Sequence, residues 1–92
     1  MRDESPRYTV LNKAANAIRS RESEYGPPAA CFGRTAAMWN AALDTKLKHP
    51  LSAADVAILL ALLKLARLSE TPDHADSQVD LAGYAALMSE VV

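Results

Sequence analysis

Leu51 to Tyr84 reads LSAADVAILLALLKLARLSETPDHADSQVDLAGY, and the pattern of this stretch decides the fold. Its first half is an apolar helix with no polar face until Lys64 and Arg67. In a small chain, a helix that is apolar all round must be wrapped by other helices, its own or a partner's. After the Thr71-Pro72-Asp73 break a second helix carries Asp76 and Asp80. Fewer than ten residues separate the basic end of one helix from the acidic start of the next, so the two must fold back as neighbours. This spacing predicts that Lys64, Arg67, Asp76 and Asp80 converge on one pocket at the junction.

Composition supports the same class. Half of the 92 residues are hydrophobic but only 5% are aromatic. Ala and Leu dominate the apolar set, which suits packed helices better than a sheet. A chain of this size forms one domain and buries roughly 60 to 65% of its unfolded surface, so association of subunits adds needed stability. Ten basic and eleven acidic residues give a formal charge of -1. No global field therefore draws the chain to DNA or to an anionic membrane. The lone Cys31 has no partner for an internal disulfide and no Cys/His cluster has zinc-ligand spacing. The amino terminus lacks the apolar core of a signal peptide, and the run from Val56 to Leu63 is too short to cross a bilayer. A cytoplasmic protein is expected.

Working outward, residues 1–7 read as a charged, proline-containing tail, and 8–92 as a single all-α domain of four helices. The first runs from about Tyr8 to Tyr25 and stops at Tyr25-Gly26-Pro27-Pro28, where glycine suits a left-handed cap and proline cannot continue a helix. Its last turns carry Arg19, Arg21, Glu22 and Glu24, a run that suits either a solvated face or a ligand. The second, about Ala29 to Leu47, repeats Phe32, Ala36, Trp39 and Leu43 on one face, with Trp39 as the core plug. Lys46, Lys48 and His49 would close it against its dipole. The third, about Ser52 to Ser69, opens with Ser52 and Asp55 in a capping-box spacing, although a carboxylate there can also point into a site. Ile58, Leu62 and Leu65 have no obvious cover within so short a chain, which predicts self-association through this helix. The fourth starts at Asp73, capped by Thr71, or near Asp76 after a loose turn, and runs to about Glu90. Gly83 within it implies that a backbone or a ligand comes close.

The segments RESEYGPPAACF, Trp39, DVAILLALLKLAR and DSQVDLAGYAAL, in that order, resemble a group of short proteins encoded by phages and prophages. More distantly the chain resembles the MazG-type all-α nucleoside triphosphate pyrophosphohydrolases, helical oligomers in which acids on two adjacent helices hold Mg²⁺ and the nucleotide is cleaved between its α and β phosphates. The resemblance implies a MazG-like four-helix bundle completed by oligomerisation. It implies Mg²⁺ on Asp76 and Asp80, catalytic roles for Asp55 and Asp80, and a nucleotide held by Lys64, Arg67, Tyr84 and Glu22. The chain departs from the family at its first motif: Glu22 and Glu24 stand where Glu-x-x-Glu is wanted. Three readings follow, each with its own partner. They are an Mg²⁺-dependent hydrolase of nucleotides, a binder of a nucleotide or cyclic nucleotide immune signal without turnover, and an interaction module, anti-defence if its target is a host defence protein, that caps a host or phage protein by its apolar helix face.

Overall fold

A computed structural model describes residues 5–92, and among them it contains four α-helices and no strand. Helix α1 spans Pro6–Tyr25, α2 Pro28–Leu43, α3 Ala53–Glu70 and α4 Ala75–Met88. Of the tail expected over 1–7, residues 1–4 lie outside the described ones, and Pro6 and Arg7 open α1. None of the described helices is long and apolar enough to cross a membrane.

The breaks follow from local chemistry. Helix α1 ends because Gly26 takes φ 73°, a left-handed conformation in which its N–H still reaches the Glu22 carbonyl at 3.1 Å. Pro28 then occupies the first turn of α2, where its missing N–H is not needed. Helix α2 stops at Leu43, four residues before the expected end. Asp44 turns to φ 38° and a single 3-10 turn, Asp44–Lys46, follows. Lys46 and its neighbours therefore lie beyond the last α-helical turn they were expected to cap. Asn40 fixes the next link: its side chain donates to the Leu51 carbonyl at 3.0 Å and accepts from the Leu51 N–H at 2.7 Å. That pair holds the chain at the angle from which α3 departs.

Helix α3 begins with a closed capping box. The Ser52 hydroxyl accepts from the Asp55 N–H at 3.2 Å and the Asp55 carboxylate accepts from the Ser52 N–H at 2.9 Å. At the other end Thr71 caps the carboxy terminus of α3 rather than the start of α4. His74 takes that second role: its Nδ1 accepts from the Ser77 N–H at 3.2 Å and lies 2.7 Å from the Ser77 hydroxyl. The bond leaves Ser77 fully buried with both polar groups paired.

Helix α3 packs most extensively on α4, α4 on α1, and α2 on the other flank of α3, while α1 and α2 barely touch. The order in space is thus α1, α4, α3, α2, a flat layer of 54 × 32 × 19 Å. The core is correspondingly small. Phe32 and Ala36 of α2 meet Val56 and Ala57 of α3, with Trp39, Leu60, Tyr84 and Leu87 half-buried around them. The opposite flank of α3 is uncovered: Ile58, Leu62 and Leu65 are 44, 52 and 46% exposed.

Candidate functional site

Because α1 and α2 diverge from the Gly26 turn, a cleft of about 470 Å³ opens between them, with α4 as its back wall. Its lining is mostly apolar. Ala14, Ala17 and Ile18 of α1 face Phe32 and Trp39 of α2, and Leu60 of α3 closes the depth. The polar groups are few: Arg21, Glu22 and Tyr25 from α1, Thr35 from α2, Asp80 and Tyr84 from α4, and Glu90 just beyond its end. The volume and the ratio of apolar wall to polar groups suit a small organic ligand.

Asp80 carries the electrostatics of the site. Its carboxylate lies 2.9 Å from the Lys64 ammonium, and the side chains are 25 and 12% exposed. A short hairpin predicts this pairing, because Lys64 and Asp80 are each eight residues from Pro72 at the turn. By the same geometry Ser77, not an acid, lies level with Arg67. Arg67 instead lines a separate hollow with Ala66, Glu70, Thr71 and His74. Asp76 is exposed in the first turn of α4, where its charge favours the helix dipole. The expected convergence of four residues is therefore corrected to one ion pair, Lys64 with Asp80.

The other expected residues divide in the same way. Glu22 and Tyr84 line the cleft with Asp80, on facing helices. Asp55 does not line it; both of its hydrogen bonds serve the start of α3. Asp76 is likewise absent from the cleft wall. Among the described residues no three His, Cys, Asp or Glu side chains group closely enough to hold a metal ion. The α2 contribution was not legible as a site. Phe32 and Trp39 read as core, and they are, but each also turns part of its ring to the cleft. Cys31 lies in the first turns of α2 and lines the same cleft. The signal that could have found them is the Tyr-Gly-Pro-Pro turn, which ties the end of α1 to the start of α2.

Gly83 has a specific place here. A Cβ built on it would meet nothing within 4 Å, so no neighbouring backbone requires the glycine. The residue does line the cleft. Gly83→Ala should therefore stabilise the free protein by about 0.5–1 kcal/mol, the helix-propensity difference, while weakening any ligand that lies along α4. Urea denaturation and ligand titration of the same variant check the two opposite signs.

Residues 9–92 match the family model described as a domain of unknown function, DUF6378. The chain is 33% identical over 84 residues to the Gene 55 protein of Mycobacterium phage L5, an alignment covering 90% of this chain and 52% of that protein. It is equally 33% identical over 84 residues to the Gene 55 protein of Mycobacterium phage D29, covering 53% of it. The chain thus spans about half the length of these curated relatives. No solved structure matches.

Proposed function

The chain belongs to the DUF6378 family, and we propose that it is a MazG-like helical protein, completed by self-association, that binds a nucleotide in the cleft between α1, α2 and α4. One observation carries the reading: Glu22 and Asp80, on facing helices, share a cleft whose walls include Phe32, Trp39 and Tyr84. Aromatic side chains give a base a surface to stack on, with no requirement for a particular base. Arg21, on the cleft wall, supplies a cation toward the phosphates, while Lys64 is engaged with Asp80 and does not line the cleft.

The acids fit Mg²⁺ only in one way. A resident ion needs a fuller oxygen cage than two carboxylates provide, but Mg²⁺ commonly arrives on phosphate oxygens and keeps several waters, asking for one or two protein carboxylates. Asp80 and Glu22, which both line the cleft, are the carboxylates that would answer that smaller demand. When bound, the ion would neutralise phosphate charge beside Asp80. Cleavage between the α and β phosphates would further need a positioned general base for water, and Asp55, one of the two residues implied for catalysis, is occupied at the α3 cap. Binding is accordingly the conclusion, with hydrolysis left to the assay.

Thermal denaturation with nucleoside triphosphates, monophosphates and cyclic dinucleotides, with and without Mg²⁺, tests the reading. A ligand present at a hundred times its Kd stabilises by about 2.7 kcal/mol. For a domain of this size that raises Tm by roughly 10 °C or more. Chromatography of the same samples would show whether pyrophosphate is released. If no nucleotide at millimolar concentration shifts Tm, the reading fails.

A further inference from the structure

The largest feature the cleft does not use is the uncovered flank of α3. Ile58, Leu59, Leu62, Leu63 and Leu65 are all between 40 and 52% exposed. Five large aliphatic side chains on one helix form a patch of the size that marks an interface. The whole molecule says the same. Its accessible surface is 6635 Å², whereas a folded monomer of 9.9 kDa exposes about 5,200 Å². The surplus of roughly 1,400 Å² exceeds the area of about 800 Å² that each partner buries in a standard interface. The radius of gyration, 14.8 Å, is likewise above the value of about 12 Å for a compact chain of this length.

The sequence of the patch identifies the occupant. Along the exposed flank, Asp55, Ile58, Leu59, Leu62, Leu65, Ala66 and Ser69 recur at heptad spacing. This series is symmetric about Leu62. In an antiparallel pair, Leu62 meets Leu62 of a second copy, Leu59 meets Leu65, the larger Ile58 meets the small Ala66, and Asp55 meets Ser69. A parallel pair would instead set the two Asp55 carboxylates side by side. We propose that α3 forms a two-fold antiparallel seam with α3 of a second copy, its axis at Leu62. The inference rests on the self-association in the reading above and is independent of the nucleotide.

The surface is also one that the chain needs covered from the moment it folds, because among the described residues the buried apolar side chains are few and mostly small: Ala14, Phe32, Ala36, Val56 and Ala57. A second copy is the partner present in equal amount at that moment.

Sedimentation at micromolar concentration without nucleotide should give twice the 9.9 kDa chain mass. In a Cys31→Ser background, Leu62→Cys should then cross-link to a dimer with a short bis-maleimide. Ser69→Cys should not, because an antiparallel seam holds the two copies of position 69 about 21 Å apart. A mixture of Asp55→Cys with Ser69→Cys should cross-link. Leu62→Glu should lower the dimer fraction at least tenfold, and mixing it with Leu62→Lys should restore association. A chain that sediments as a monomer overturns the proposal and the self-association together. A dimer that cross-links through Ser69→Cys alone, or not through Leu62→Cys, overturns the seam and leaves self-association standing. A missing nucleotide shift in a cross-linking dimer removes the nucleotide and leaves the seam.

Discussion

Phe32→Ala should destabilise the protein by about 3–4 kcal/mol, a large fraction of its total stability. The reason is the distribution of buried volume. Among the described residues four make the buried cluster, and three of them, Ala36, Val56 and Ala57, are small. Phe32 supplies its bulk, and it joins α2 to α3. Removing a buried ring sacrifices transfer free energy and leaves a cavity, together worth about 3–5 kcal/mol in well-packed cores. The lower half of that range applies because the Phe32 ring borders an open cleft, so solvent can fill part of the space. Even so, a domain of this length has only about 5–14 kcal/mol in total. Urea denaturation of wild type and variant at equal subunit concentration measures the difference. A loss below about 1 kcal/mol would mean that the core lies elsewhere, in the interface with a second copy.

The helices were legible and their joints only partly so. The apolar run of α3, the capping spacing Ser52 to Asp55 and the Gly26-Pro27-Pro28 break each declare themselves through residue type, and each boundary follows. The end of α2 does not, because periodicity continues through Leu43 to Leu47 while Asp44 leaves the helical region, a backbone event with no side-chain signature. His74 as an N-cap escaped for the opposite reason: Thr71-Pro72-Asp73 carries the conventional start signal, and the imidazole nitrogen does the same work three residues later. The two hydrogen bonds from Asn40 to Leu51 join residues eleven apart and belong to tertiary geometry.

The candidate site divided along the same line. Lys64 with Asp80 could be read because hairpin geometry fixes which residues stand level across a short turn. Arg67 and Asp76 were grouped with them by proximity in sequence, but each stands level with a residue of no charge across the turn. The cleft itself was invisible, since it exists only because α1 packs on α4 and leaves α2 to α3. No periodic pattern states which two helices fail to meet.

Asp80→Ala should cost about 2 kcal/mol of stability and abolish Mg²⁺-dependent stabilisation by nucleotide. The magnitude lies between two limits. Exposed ion pairs contribute about 0–1 kcal/mol, and removing one member of a fully buried pair costs about 3–5 kcal/mol. With Lys64 at 12% and Asp80 at 25% side-chain exposure, this pair stands between them. The penalty comes mainly from the ammonium left without its acid, and the lysine's flexible stem relieves some of it by reaching outward. It follows that Lys64→Met in the Asp80→Ala background should return most of the lost stability, since an apolar chain of similar length then occupies the site. The coupling energy from wild type, Asp80→Ala, Lys64→Met and the double variant should reach about 1 kcal/mol or more. Function should not return with stability: the double variant lacks the carboxylate that faces the cleft. Asp80→Asn refines the point, keeping volume and a hydrogen-bonding oxygen while removing the charge that a phosphate-borne Mg²⁺ needs. Denaturation midpoints and nucleotide-dependent Tm shifts on the same four proteins separate the two roles. Additive single-variant losses would reduce Lys64–Asp80 to a surface contact, and a Tm shift that survives Asp80→Ala would move the nucleotide away from α4.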